Sequence, residues 1–198
     1  MRCKVLFLWQ PMKIKTFQYS ENFCEENIWH LCQNPELSGF TKKVLIISNS
    51  KRNCSFRFQK SPNGDEVVWW DYHVILLASN SESDLIYDFD STLEFPSYLH
   101  DYLDATFQTD PIQEAIDLPG FKSIASEDFI HSFISDRGHM KDDQGNWLSS
   151  PPKWPTIGNK GNLPLPKLLN FSETSKERIW SLEEMYVIAG RVNSLCVE

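Results

Sequence analysis

Apolar residues at helical spacing alternate along this chain with shorter β-branched runs. Cys24, Ile28, Leu31 and Cys32 share one face of a helix. Ser20 or Asn22 is placed to cap it, and Glu25 and Glu26 sit in its first turn as ordinary acids at the positive end of the helix dipole. Asn34-Pro35 stops it near Gln33, because the residue before a proline is driven out of the helical region. Lys42 to Ser50 is apolar, β-branched and closed by turn residues, hence a strand, and Ser55 to Lys60 alternates as a second before the turn "SPNGDE".

Two longer runs follow, Val67 to Ala78 and Asp84 to Pro96, separated by polar residues, and they predict an antiparallel hairpin. Period two puts Asp71, His73 and Ile75 on one face of the first strand and Ile86, Asp88 and Asp90 on one face of the second. With Ser79 to Glu82 as the loop, His73 stands opposite Asp88 and Asp71 opposite Asp90, near enough for a carboxylate to hold an imidazole. Slipping the pairing by one residue would send the two to opposite faces.

Beyond Phe95-Pro96, Ser97 to Gln108 reads as a helix with Leu99, Tyr102, Leu103 and Phe107 on one face. Ser126 to Ile134 reads as another, capped by Ser126, and Leu182 to Val192 as a final one. Gly, Pro, Asn and Asp dominate Ser135 to Pro166, so that stretch is expected to be irregular and longer than an ordinary connection, as functional loops often are. Near the start, Val5 to Trp9 is too short an apolar run for a signal peptide core or a membrane span.

The length of 198 residues suits one sizeable core, and 41% apolar with 23% charged residues suits a folded chain. The net charge of -8 provides no basic stripe for phosphates, so neither nucleic acid nor an anionic membrane is an expected partner, and a cationic ligand suits the chain better. Five cysteines without paired spacing fit neither a disulfide framework nor a structural zinc site, which points to reduced thiols in cytosol or nucleus.

A thiol in the first turn of a helix feels the positive end of the dipole, and a nearby imidazolium lowers its pKa further, so Cys24 could be a nucleophile. Spacing alone favours the plainer reading of Cys24 as part of the apolar face. His73 in an apolar strand is by itself a core histidine, but facing Asp88 it becomes a base with an orienter, with Asp71 or Asp90 in that role if the register differs. A divalent ion held by His73, Asp71, Asp88 and Asp90 lacks a second soft ligand, so no metal and no cofactor is expected. The "GNKG" at Gly158 to Gly161 lacks the context of a phosphate loop. Trp147, Trp154 and Trp180 suit core or loop clamps better than cofactor stacking.

Four segments, "FCEENIWHLC", "WDYHVILL", "IYDFD" and "SDRGHMKDDQGNW", occur in this order and at compatible spacing, and together they resemble the eukaryotic protein N-terminal glutamine amidohydrolase family. The resemblance covers Tyr19 to about Ile157, continues loosely through "LPKLLNF" and "IWSLEEM", and does not reach residues 1–18. It implies an α/β fold of the α+β type, papain-like or transglutaminase-like, with the Cys-bearing helix packed on a largely antiparallel sheet; residues 19–198 are taken as a single catalytic domain and residues 1–18 as an N-terminal extension. It implies a triad of Cys24, His73 and Asp88 that converts an N-terminal glutamine side chain to glutamate through a thioester, with release of ammonia, in the N-degron route.

The partners so implied are peptides or proteins with a free N-terminal Gln, and the chain is taken as a cytoplasmic and nuclear monomer. A site that reads a free α-ammonium needs acceptors, for which Glu25, Asp71 and the loop residues Ser135, Asp136 and Met140 are candidates. Asp136 with Arg137 would serve equally as an ion pair that stabilises the loop. Another papain-like hydrolase, either a peptidase or a deamidase of internal glutamines, and a non-catalytic module binding through Ser135 to Pro166 are the competing readings.

Overall fold

The structure is a computed structural model that describes residues 17–193 apart from 62, 65, 108–117, 136, 159–162 and 173–176. Helix α1 spans Cys24–Cys32, and its N-cap is Phe23 with no side-chain cap bond, so neither Ser20 nor Asn22 caps it as expected. The Asn27 amide takes both the N–H and the C=O of Ser20 at 2.8 Å, which fixes how the chain enters the helix. Cys24 is thus the first helical residue. Gln33 closes the other end, and the Asn34 side chain then caps the 3₁₀ turn Pro35–Leu37.

The strands are β1 (Thr41–Ser48), β2 (Cys54–Arg57), β3 (Val67–Trp70), β4 (His73–Ser79), β5 (Asp84–Tyr87), β6 (Ser97–Tyr98), β7 (Gly120–Ala125), β8 (Phe133–Ile134), β9 (Leu163–Pro164) and β10 (Ile179–Ser181). A six-stranded sheet has the order β10-β7-β1-β4-β5-β6 with every pairing antiparallel. The run expected as one strand from Val67 to Ala78 is broken at Asp71 and Tyr72. Its first half pairs with β2 in a separate ribbon and its second half lies at the middle of the main sheet. The crossing is pinned by Ser48 Oγ, which donates to the Asp71 carbonyl at 2.6 Å.

The hairpin also differs from expectation. Its turn is Asn80 to Ser83, where Asn80 Oδ1 accepts from the N–H groups of Glu82 and Ser83, so Ser79 faces Asp84 and Leu76 faces Tyr87. That register is displaced by two residues from the expected one, and β5 ends at Tyr87, before Asp88. An even displacement keeps every side chain on its expected face, which is why the face shared by His73 and Asp88 survives the error.

Alternation along β1 and β4 divides the core. Val44, Ile46, Val74, Leu76 and Ala78 pack against Ile28, Leu31 and Cys32 of α1 and against Phe129 of α3 (Ser126–Ser132). Leu45, Ile47, Ile75 and Leu77 pack on the other face against Leu99, Tyr102 and Leu103 of α2 (Leu99–Thr106) and Leu182, Met185 and Ala189 of α5 (Leu182–Asn193). Each large side chain so covered contributes roughly 1.5–3 kcal/mol. The helix bearing Cys24 is therefore packed on a largely antiparallel sheet, the arrangement of papain-like enzymes.

Ser126 is the first residue of α3 and not its cap, which is Ala125. From Ser135 up to Gly158 the described residues are irregular as expected, with the 3₁₀ turn Gly138–Met140 and a bridge between Lys141 and Trp147. Where the chain returns, Gly158 has φ +76° and a Cβ there would lie 2.1 Å from the Phe133 carbonyl oxygen, so only glycine fits. The return runs on through β9 into the short helix α4 (Leu165–Leu168), whose Leu165 and Leu168 join the core on the α1 side.

Candidate active site

A cavity of about 700 Å³ opens where the start of α1 meets the start of β4, and Cys24, His73, Asp90, Tyr19, Tyr72, His139 and Met140 are among the residues that line it. Period two sends His73 to the face of Ile75, where its ring packs on Trp70 (4.7 Å between centroids) and Phe56 (5.6 Å). Packing on two aromatics fixes the ring plane. Its Nε2 lies 2.8 Å from Asp88 Oδ1, and both side chains are buried.

Asp88 is held on all sides. Oδ1 also accepts from the Asp90 backbone N–H at 3.0 Å, and Oδ2 accepts from Tyr102 Oη at 2.8 Å and Gln59 Nε2 at 3.1 Å. Burial pushes the Asp88 carboxyl up, but the His73 ring and these donors outweigh it and hold it below the usual range. For His73, burial works downward and the facing Asp88 carboxylate outweighs it, so the imidazole is more basic than an ordinary histidine. With Nε2 committed to Asp88, Nδ1 is the ring nitrogen left for proton transfer.

Cys24 does not match the lowered pKa expected of a thiol at a helix start. Burial, then the Glu25 and Asp90 carboxylates, raise it well above an ordinary thiol, and the Val74 backbone works only partly against them. At rest the sulfur keeps its proton. Its Sγ lies 3.5 Å from Glu25 Oε2.

The two first-turn acids, read from the sequence as ordinary acids at the helix dipole with Glu25 also a candidate for the α-ammonium, are both buried, Glu25 at 1% and Glu26 at 0% exposure. Glu25 Oε2 accepts from Tyr72 Oη at 3.2 Å, and Oε1 lies 3.7 Å from His139 Nε2, which is itself 3.3 Å from Tyr72 Oη. Burial pushes the Glu25 carboxyl up to about 7. Glu26 points the other way. Arg137 engages it through Nε and Nη2, both at 2.7 Å, Trp154 Nε1 donates at 2.6 Å, and Ser135 Oγ donates as well. Burial pushes Glu26 up, yet these donors hold it below the usual carboxylate range.

Other expected contacts fall differently. Asp71 lines the cavity, but its carboxylate is half exposed and paired with Arg52 at 2.9 Å, outside the strand where it was expected to oppose Asp90. Ser135 is occupied with Glu26 and Met140 lies on the cavity wall, while Asp136 lies outside the described residues. Arg137 pairs with Glu26, so the loop-stabilising ion pair exists with a different acid. Trp154 is a loop clamp as expected. Trp147 and Trp180 each lie under a cation, Lys141 at 4.7 Å and Arg178 at 3.5 Å.

Among the described residues, the one grouping tight enough for a metal ion is His73, Asp88 and Asp90, whose ligand atoms lie within 4.8 Å of one another. Asp88 already accepts four hydrogen bonds and His73 Nε2 is one of the donors, so this set is built to hold an imidazole and not an ion. Sequence reasoning missed Tyr19, Tyr102 and Gln59 around the two aspartates. A lone Tyr or Gln carries no spacing signal, and these reach the site only through folding.

The family model for N-terminal glutamine amidase matches residues 19–192 of the chain. A Danio rerio protein N-terminal glutamine amidohydrolase is 39% identical over 144 residues, covering 70% of this chain and 71% of its own length. The Homo sapiens protein of the same name is 37% identical over 144 residues, with 70% of each chain covered. That of Drosophila pseudoobscura pseudoobscura is 36% identical over 158 residues, covering 76% of this chain and 77% of its own.

Proposed function

The chain belongs to the N-terminal glutamine amidase family, and we propose that it deamidates the side chain of an N-terminal glutamine through a triad of Cys24, His73 and Asp88 and a thioester on Cys24. The observation that carries this reading is the buried His73–Asp88 contact at 2.8 Å in the wall of the cavity that also holds Cys24.

The resting thiol is protonated, so sulfur attack and proton transfer go together. As Sγ bonds to the γ-carboxamide carbon, its proton passes to His73 Nδ1, and the charge on the ring is met by Asp88. The backbone N–H of Cys24, at the helix start, is one donor for the oxyanion. His73 then gives the proton to the amide nitrogen, the C–N bond breaks and ammonia leaves. A γ-glutamyl thioester remains. Water, losing a proton to His73, adds to it, and the C–S bond breaks to give a γ-carboxylate and the free thiol. The product is an N-terminal glutamate, the form on which arginylation in the N-degron route would act.

A free α-ammonium at the first residue is assigned to the end of the cavity formed by Tyr72 and His139, with the Glu25 carboxylate behind them. An acid of pKa about 7 ionises readily when a cation arrives beside it. An acetylated or internal glutamine brings no cation and leaves that carboxyl unpaired. Ammonia release from four peptides tests the reading: one starting with Gln, its N-acetylated form, one starting with Asn and one with Gln in second place. Release from the first alone supports it, and equal release from the acetylated or internal forms assigns the chain to a less selective hydrolase.

A further inference from the structure

Asp90 is a carboxylate in the cavity wall that the triad does not use. One of its oxygens lies within 4.8 Å of a His73 ring nitrogen and of an Asp88 oxygen. It is firmly placed. Tyr19 Oη donates to Oδ1 at 2.6 Å, the Asp90 backbone N–H is fixed on Asp88, and its carbonyl accepts from the Lys60 N–H at 2.7 Å. Tyr19 is braced in turn by Phe89, 5.7 Å between ring centroids, and by Lys60 Nζ over its ring at 5.3 Å. Among the described residues no donor meets Oδ2.

We infer that Asp90 is a specificity residue whose Oδ2 accepts an N–H from the substrate γ-carboxamide and whose charge turns away the γ-carboxylate of the product. This rests on the N-terminal glutamine reading above. A carboxamide nitrogen offers two donors, whereas the carboxylate that replaces it offers none and meets a like charge at short range. The same contact holds the amide nitrogen on the His73 side, where it must receive its proton.

The placement also answers a difficulty. The Asp90 carboxylate, in the wall of the cavity that holds Cys24, opposes the thiolate and so works against the nucleophile. A group that hinders the nucleophile is accounted for by what it does to the substrate, and discrimination between the two ends of the reaction is what a fixed anion supplies there.

Two small alkylating agents that differ only in this respect read the effect directly. Iodoacetamide is a neutral carboxamide and iodoacetate is its carboxylate counterpart. Each forms a thioether at Sγ with loss of iodide and of the thiol proton, and peptide mass mapping separates Cys24 from the other cysteines. At pH 8 the rate ratio of iodoacetamide over iodoacetate at Cys24 is expected to fall about tenfold in Asp90→Asn, which keeps the size of the side chain and its bond from Tyr19. Tyr19→Phe, which keeps the charge, is expected to keep the ratio. A Glu-initiated peptide should inhibit Asp90→Asn more strongly than the wild type. An unchanged ratio in Asp90→Asn, an equal fall in Tyr19→Phe, or a larger fall in Glu25→Gln overturns the assignment. A ratio that follows Asp90 in a protein that releases no ammonia from a Gln-initiated peptide refutes the substrate reading and leaves the carboxamide preference standing.

Discussion

His73 Nε2 meets Asp88 Oδ1 at 2.8 Å with both side chains buried, so an imidazolium formed at His73 has its counter-charge in contact. Asp88→Asn keeps the shape and removes the charge. It is expected to lower kcat by about 10⁴-fold, the scale of loss when a triad aspartate becomes asparagine. Tyr102→Phe removes one hydrogen bond to the same carboxylate and should cost roughly tenfold. Steady-state ammonia release from a Gln-initiated peptide measures both.

The same contact sets the acid side of the pH profile. In the proposed mechanism His73 must be neutral to take the thiol proton, and Asp88 makes it more basic than an ordinary histidine. Activity is therefore expected to rise with pH through a pKa above that of free histidine. In Asp88→Asn the rise should move to lower pH, because the anion that held the ring protonated is gone, and kcat/KM followed across the range shows the direction.

Glu25 links stability to pH. Its ordinary pKa of 4.5 is raised by burial to about 7, so between these values the folded protein holds a proton that the unfolded chain gives up. The stability so gained is complete below pH 4.5 and is lost as pH rises through 7, a total of about 3 kcal/mol at most. Glu25→Gln removes this dependence. Its urea midpoint is expected to fall less between pH 5 and pH 8 than that of the wild type.

Arg137 neutralises a carboxylate with no exposed surface. Arg137→Ala leaves Glu26 buried and unpaired, at an expected cost of about 3–5 kcal/mol in urea unfolding. Arg137→Lys is expected to restore only part, since one ammonium cannot reproduce the two-point contact of the guanidinium. Because this ion pair anchors the loop that carries His139 and Met140 to the cavity wall, KM for the peptide should rise in either variant.

The elements that bury an apolar face were legible in the sequence because burial leaves a period. The spacing of Ile28, Leu31 and Cys32 gave α1, and the β-branched runs gave β1 and β4. The face shared by His73 and Asp88 was legible for the same reason, and it tolerated a hairpin register two residues off because strand faces repeat every two. The break at Asp71 was not visible, since it depends on two halves of one apolar run finding different partner strands. Nor was the burial of Glu25 and Glu26, since adjacent acids at a helix start are ordinary surface residues unless a distant segment covers them. Here Ser135, Arg137, Tyr72 and His139 do so, and no local pattern announces them.

The most direct measurement is ammonia release from a Gln-initiated peptide by the wild type and Cys24→Ala, side by side under saturating substrate. With Cys24 as nucleophile, the wild type converts the peptide to its Glu-initiated form with one ammonia released for each, and the variant falls by about 10⁴-fold or more. A variant that still releases ammonia at near the wild-type rate would contradict the triad.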